Sequence, residues 1–104
     1  MSKKDFRQSK AWKDFRAVIT RAFGGKDFIT NRKLLKGYPV HHLDLREENY
    51  TNLDEKRLIP LNKKTHDFIH WLYTYWRKDK GIMARIVTVL EKMESCSSDE
   101  VITN

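Results

Sequence analysis

The chain has 104 residues, 39 % of them hydrophobic, with 21 basic and 14 acidic side chains and a net charge of +7. That length predicts one domain with a modest core, no run approaches the roughly 18 apolar residues of a membrane span, and a lone cysteine, Cys96, excludes an intramolecular disulfide or a zinc site built from several thiolates. No apolar segment follows the opening Met-Ser-Lys-Lys, so no secretion signal is expected and a cytoplasmic, reducing compartment is the simpler home.

Charge is unevenly spread: residues 1–37 carry eleven Lys/Arg against three Asp, whereas residues 38–62 carry three against five acids. A basic first third suits a polyanionic partner, because clustered Lys and Arg gain affinity for nucleic acid by releasing counterions. A solvated face that keeps a small domain soluble produces the same pattern.

In chain order, Trp12, Phe15, Ile19, Ala22 and Phe23 recur at three- and four-residue intervals and predict an amphipathic helix over about 9–23. Gly24-Gly25 would end it, since glycine tolerates positive φ. Residues 26–37 form a basic connection in which Asp27, Thr30 or Asn31 is placed to cap a short helical turn through Leu34 and Leu35. Pro39 excludes helix around it and biases Tyr38 toward extended geometry, so 38–43 reads as a short strand. A long polar loop over 44–56 separates it from a second strand at Leu58–Leu61, with Pro60 at an edge or strand end.

Asn62 stands at an N-cap position before a helix over 63–78, for which Phe68, Trp71, Leu72 and Trp76 are the expected buried side chains. Asp79-Lys80-Gly81 breaks the pattern, and Met83, Ile86, Val87, Leu90 and Met93 describe a last helix ending near Glu94. The expected organisation is a single domain over residues 1–94, its core at about 38–78, followed by a polar, mobile tail over 95–104.

All four histidines fall in two tight groups, His41-His42 and His66/His70. Positions i and i+4 project from one helix face a turn apart, so the imidazoles of His66 and His70 can converge on one ion. If the two strands pair, the following helix can lay these histidines beside the first pair. Adjacent strand residues point to opposite faces, so His41 and His42 share a site only where the strand ends or bulges. Otherwise they divide the work, one as ligand and the other approaching the reacting group from another direction. Neutral imidazole serves either role.

The run VHHLDLREENYTNLDEKRLIPLNKKTHDFIH, residues 40–70, resembles the HNH endonuclease motif, most closely as it occurs in the nuclease colicins and in small bacteriophage HNH proteins with a leading HH and a trailing HxxxH. The WxxFR segment at Trp12–Arg16 resembles, more loosely, what precedes many such cores. The resemblance implies an α+β, mostly helical protein: a ββα-metal core, in which a two-stranded antiparallel hairpin is packed by a helix, with flanking N- and C-terminal helices. It implies that His42 is the general base that activates water and that His41, His66 and His70 bind one divalent ion, Mg²⁺, Mn²⁺, Ni²⁺ or Zn²⁺. That ion would polarise the scissile phosphate and stabilise the leaving 3′ oxygen, giving 5′-phosphate and 3′-hydroxyl ends.

Two departures from the family pattern stand out. The paired CxxC thiolates of a structural zinc are absent, which leaves Trp12, Phe15, Trp71 and Trp76 to substitute by packing. The position nine before His66, where the central asparagine usually stands, is Arg57, with Asn52 five residues earlier. Either Asn52 supports the catalytic loop or Arg57 contacts phosphate in its stead. Lys63 and Lys64, at a helix N-terminus that favours anions, are candidates to grip a DNA backbone, with solvation as the alternative. For Trp71, Tyr73, Tyr75 and Trp76, core packing is the better reading than base stacking.

The expected function is therefore a metal-dependent HNH endonuclease or nickase acting on DNA. So short a chain would take its specificity from a targeting protein partner or a homodimer. The alternative is a catalytically inactive HNH scaffold that binds DNA or protein, such as a bacteriophage accessory or host-takeover factor.

Overall fold

The computed structural model describes residues 2–43, 51, 53 and 57–97. Among them run α1 (Lys3–Gln8), α2 (Lys10–Ala22), β1 (Val40–His42), β2 (Leu58–Pro60), α3 (Lys63–Trp76) and α4 (Ile82–Ser97). The chain is thus mostly helical with one antiparallel strand pair, an α+β arrangement, and no helix of the described residues is long and apolar enough to cross a membrane. Packing divides it into two units, Met1–Phe68 and Ile69–Asn104, with the boundary inside α3.

In the first unit the helix expected over about 9–23 forms as α2, and a shorter helix precedes it, the two divided by serine caps. The Ser2 hydroxyl accepts the Asp5 N–H at 3.0 Å and starts α1, a helix absent from the expected elements. Ser9 accepts the Trp12 N–H at 3.2 Å and starts α2. The Gly24-Gly25 stop is as expected: both residues have positive φ, and the Gly25 N–H reaches back to the Thr20 carbonyl at 2.9 Å. Phe6, Trp12 and Ile19 from the helices meet Val40 and Leu58 from the strands in one core, with Phe15, Phe23, Tyr38 and Leu53 packed around it. Arg16 lies over the Tyr38 ring at 3.9 Å, and Tyr38 also bonds Thr20 through its hydroxyl.

The strands pair with Val40 opposite Pro60, His41 opposite Ile59 and His42 opposite Leu58. A bond from the Leu43 N–H to the Arg57 carbonyl, 2.7 Å, extends the ladder toward the loop. Most of the expected 44–56 loop, including Asn52, lies outside the described residues.

Residues 26–37 correct the expectation of a helical turn at Leu34–Leu35. Lys26 bridges Lys33 in antiparallel fashion, and the loop closes around Asp27, which is only 1 % exposed. One carboxylate oxygen of Asp27 accepts the Ile29 and Thr30 N–H groups, each at 2.8 Å, and the other accepts the Asn62 N–H at 2.8 Å. The Thr65 side chain, nearby, also favours the charged form of this carboxylate. A buried acid thus sits at the start of α3, where the helix dipole favours negative charge. Asn62 instead faces the loop, accepting the Leu35 N–H at 2.7 Å and donating to the Lys33 carbonyl at 3.0 Å.

The α3 helix corrects a second expectation, because none of its residues is buried. Phe68, Trp71 and Trp76 are 47, 51 and 37 % exposed, so of the four aromatics expected to substitute for a structural zinc only Trp12 and Phe15 enter the core. Trp71 and Tyr75 pair with each other, ring centroids 5.0 Å apart, and Lys80 lies 3.3 Å over the Trp76 ring. The α4 helix runs to Ser97, past the expected end near Glu94, and residues 98–104 of the expected tail lie outside the described residues.

Burial pushes the Asp27 carboxyl up, but the bonds from Thr30, Asn62, Thr65 and Ile29 together outweigh it and hold the group below its ordinary 3.8. A depressed carboxyl contributes stability that is present above the unfolded value and lost as pH falls through the folded one. Asp27→Asn, which turns an amide N–H₂ toward donors, is expected to destabilise the protein by about 2–3 kcal/mol at neutral pH. In urea titrations the gap between wild type and variant should narrow as pH falls from about 6 to about 2; a gap independent of pH would remove the charge from this account.

Candidate metal centre

Strand alternation decides how the two adjacent histidines are used. His41 is buried, 7 % exposed, and its ring packs edge-on against that of His66, centroids 5.3 Å apart at 76°. His42 turns the other way, its ring stacked on Trp12 at 6.0 Å and 11°. The two neighbours therefore face different partners, with no bulge to bring them together: β1 and β2 pair residue for residue through this stretch.

On α3, His66 and His70 lie one turn apart on a continuous helix. The helix starts firmly, with the His66 N–H donating to the Asn62 carbonyl at 2.8 Å. One ring nitrogen from each of His41, His66 and His70 lies within 4.8 Å of the other two. A tetrahedral ion with metal–nitrogen bonds near 2.1 Å needs nitrogens about 3.4 Å apart, a closing of the 4.8 Å spread that would fall to the half-exposed His66 and exposed His70 rather than to the buried His41. Among the described residues three imidazoles make up the cluster, and a four-coordinate ion held there would take one further ligand.

Sequence reasoning passed over Asp67. Its Oδ1 lies 3.4 Å from Nδ1 of His66, and Lys63 Nζ holds its other oxygen at 2.8 Å. The Lys63 bond first, and then His66, draw the Asp67 carboxyl below its ordinary value. A carboxylate beside a ligating histidine orients the ring and raises its basicity. The sequence signal was the Lys63/Asp67 spacing of four on a helix that carries two histidines.

The remaining expected site residues are distributed as follows. Arg57 is half-buried at the entry to β2, Lys63 is engaged by Asp67, and Lys64 is exposed. The dipole at the start of α3, expected to favour a phosphate, meets Asp27 through the Asn62 N–H. Asn52 lies outside the described residues. Cys96 is exposed and free.

Comparison with protein-family models, with curated proteins and with solved structures found no match.

If His41, His66 and His70 act as one ligand set, each single alanine variant should weaken Zn²⁺ or Ni²⁺ binding at least about 100-fold, read by competition with a chromogenic chelator, whereas His42→Ala should change it less than about threefold. Equal losses in all four variants would mean the rings do not divide as described.

Proposed function

We propose that this protein is a metal-dependent endonuclease or nickase of the HNH type, hydrolysing phosphodiester bonds in DNA. The observation that supports this reading is the convergence of His41 from the hairpin with His66 and His70 from the helix that follows it. Strand, strand and helix in that order, with histidines on the first strand and on the helix, is the order that a ββα-metal reading of residues 40–70 calls for.

When bound, a divalent ion at this centre supplies Lewis-acid polarisation of a phosphate and charge stabilisation for a departing oxygen. The chain supplies the rest. His41, buried in β1, fixes one side of the centre, and Asp67 orients His66. His42, on the opposite face of β1, has its ring plane set by Trp12 and remains half-exposed. In this reading its neutral imidazole takes the proton from the attacking water, a role typically worth about 10²–10⁴ in rate. Lys64, Arg57 and the basic first third, eleven Lys/Arg against three Asp, attract the duplex through its phosphates.

Supercoiled plasmid incubated with Mg²⁺, Mn²⁺, Ni²⁺ or Zn²⁺ should be nicked with at least one of them and left intact with EDTA. His42→Ala should lower the nicking rate at least about 100-fold while retaining the ion, and His66→Ala should lose both. Tight duplex binding without hydrolysis under every ion would overturn the enzymatic reading in favour of a non-catalytic binding module. An unchanged rate in the His42 variant would remove the base.

A further inference from the structure

The second unit carries apolar surface that nothing within it covers. No residue of α4 is buried, yet Met83, Val87, Leu90 and Met93, at three- and four-residue spacing, are 40, 46, 56 and 60 % exposed. A helix of 16 residues is marginal in water by itself and draws its stability from burying such a stripe. The stripe opens into a groove of about 210 Å³ lined by Ile69, Leu72, Tyr73, Trp76 and Met83.

Charge narrows the choice of occupant. Within Ile82–Ser97, Arg85 and Lys92 balance Glu91 and Glu94, so this helix is neutral in a chain of net charge +7. On α4 itself a nucleic acid finds no excess of cations; Lys80 and Arg77, at the groove, lie over the Trp76 and Tyr73 rings at 3.3 and 5.8 Å. Two copies of a cationic chain, in contrast, can approach through a neutral apolar face without opposing like charges.

Area agrees with this. Taking about 150–250 Å² for a large side chain when fully exposed, the exposed fractions of Tyr73, Trp76, Met83, Val87, Leu90 and Met93, which run from 37 to 60 %, give roughly 500 Å² of apolar surface per copy. A specific dimer buries about 800 Å² per partner, of which about two-thirds is apolar in homodimers.

We infer that α4 and the adjoining groove are the docking face for a second copy of this chain, paired about a two-fold axis so that the same patch serves both partners. The pairing also explains how so exposed a helix persists. Under the proposed function, which this consequence alone rests on, each particle carries two metal centres and has the means to cut both strands of a duplex.

Light scattering on the full chain tests the docking without reference to catalysis. Wild type at about 100 µM is expected at twice its 12.5 kDa, falling toward the single mass on dilution to about 1 µM. Leu90→Glu should weaken association at least about 100-fold. Wild type that stays at the single mass at the higher concentration overturns the inference, as does a Leu90→Glu variant that remains dimeric. Because that variant could lose α4 altogether, amide exchange in the wild type gives an independent reading. Exchange over 86–96 should be at least tenfold faster in the dilute sample, and protection that ignores concentration overturns the inference. A monomeric wild type whose duplex affinity falls in Leu90→Glu would assign the face to nucleic acid instead. On plasmid, the variant should keep nicking and lose linearisation. A dimer with no nuclease activity would leave the docking intact and remove only the proposed function.

Discussion

The joint between the hairpin and α3 depends on the buried carboxylate of Asp27. Two of its bonds close its own loop on Ile29 and Thr30, and a third reaches forward to Asn62, which opens the helix bearing His66. Burying a charge in so small a core is costly unless every oxygen is satisfied, and here three backbone N–H donors serve the two oxygens. The Phe28 N–H adds a bond to the Pro60 carbonyl at 3.0 Å, so the same loop also grips β2. The approach of α3 to β1, and with it the spacing of His41 and His66, is set by hydrogen bonds from a loop to a helix start rather than by a layer of apolar side chains. This is how a chain without paired thiolates or a disulfide holds the helix in place.

The second constraint is the two-residue period of a strand. His41 and His42 are neighbours in sequence, and the unbroken pairing of 40–42 with 58–60 sends one ring to His66 and the other to Trp12. Under the proposed function, this alternation is what separates the ligand from the base, at no structural cost. Trp12 thereby serves two ends. It belongs to the core with Phe6 and Ile19, and its ring sets the plane of His42.

Much of this was legible in the residues. Pro39 and Pro60 marked the strands, Gly24-Gly25 the end of α2, Asp79-Lys80-Gly81 the break before α4, and the HH and HxxxH spacings the cluster. Three things were not. The short α1 escaped because its only apolar anchor is Phe6, too little for a periodic signal although Ser2 and Asp5 carry the cap. Asp27 read as a local cap because a carboxylate's local turn with Ile29 and Thr30 is visible in sequence, whereas its bond to Asn62 spans 35 residues. The burial expected of Phe68, Trp71 and Trp76 failed because periodicity reports that a helix has an apolar face, not that the same chain covers it. The loop that carries Asn52 lies outside the described residues.

The same distinction bears on stability. The apolar core draws on α1, α2 and the hairpin, with nothing buried from α3 or α4. A core of that size leaves little margin in a chain of 104 residues, so anything that binds the folded joint matters in proportion. His41 and His66 are 25 residues apart in sequence yet adjacent in space. An ion held between them closes the same joint that Asp27 closes, and at about a thousand times its dissociation constant it would add roughly 4 kcal/mol. The two supports respond to different chemistry, since ligation requires neutral imidazoles while the Asp27 bonds require only an ionised carboxylate. An ion bound there would couple metal loading to folding through one short contact between β1 and α3.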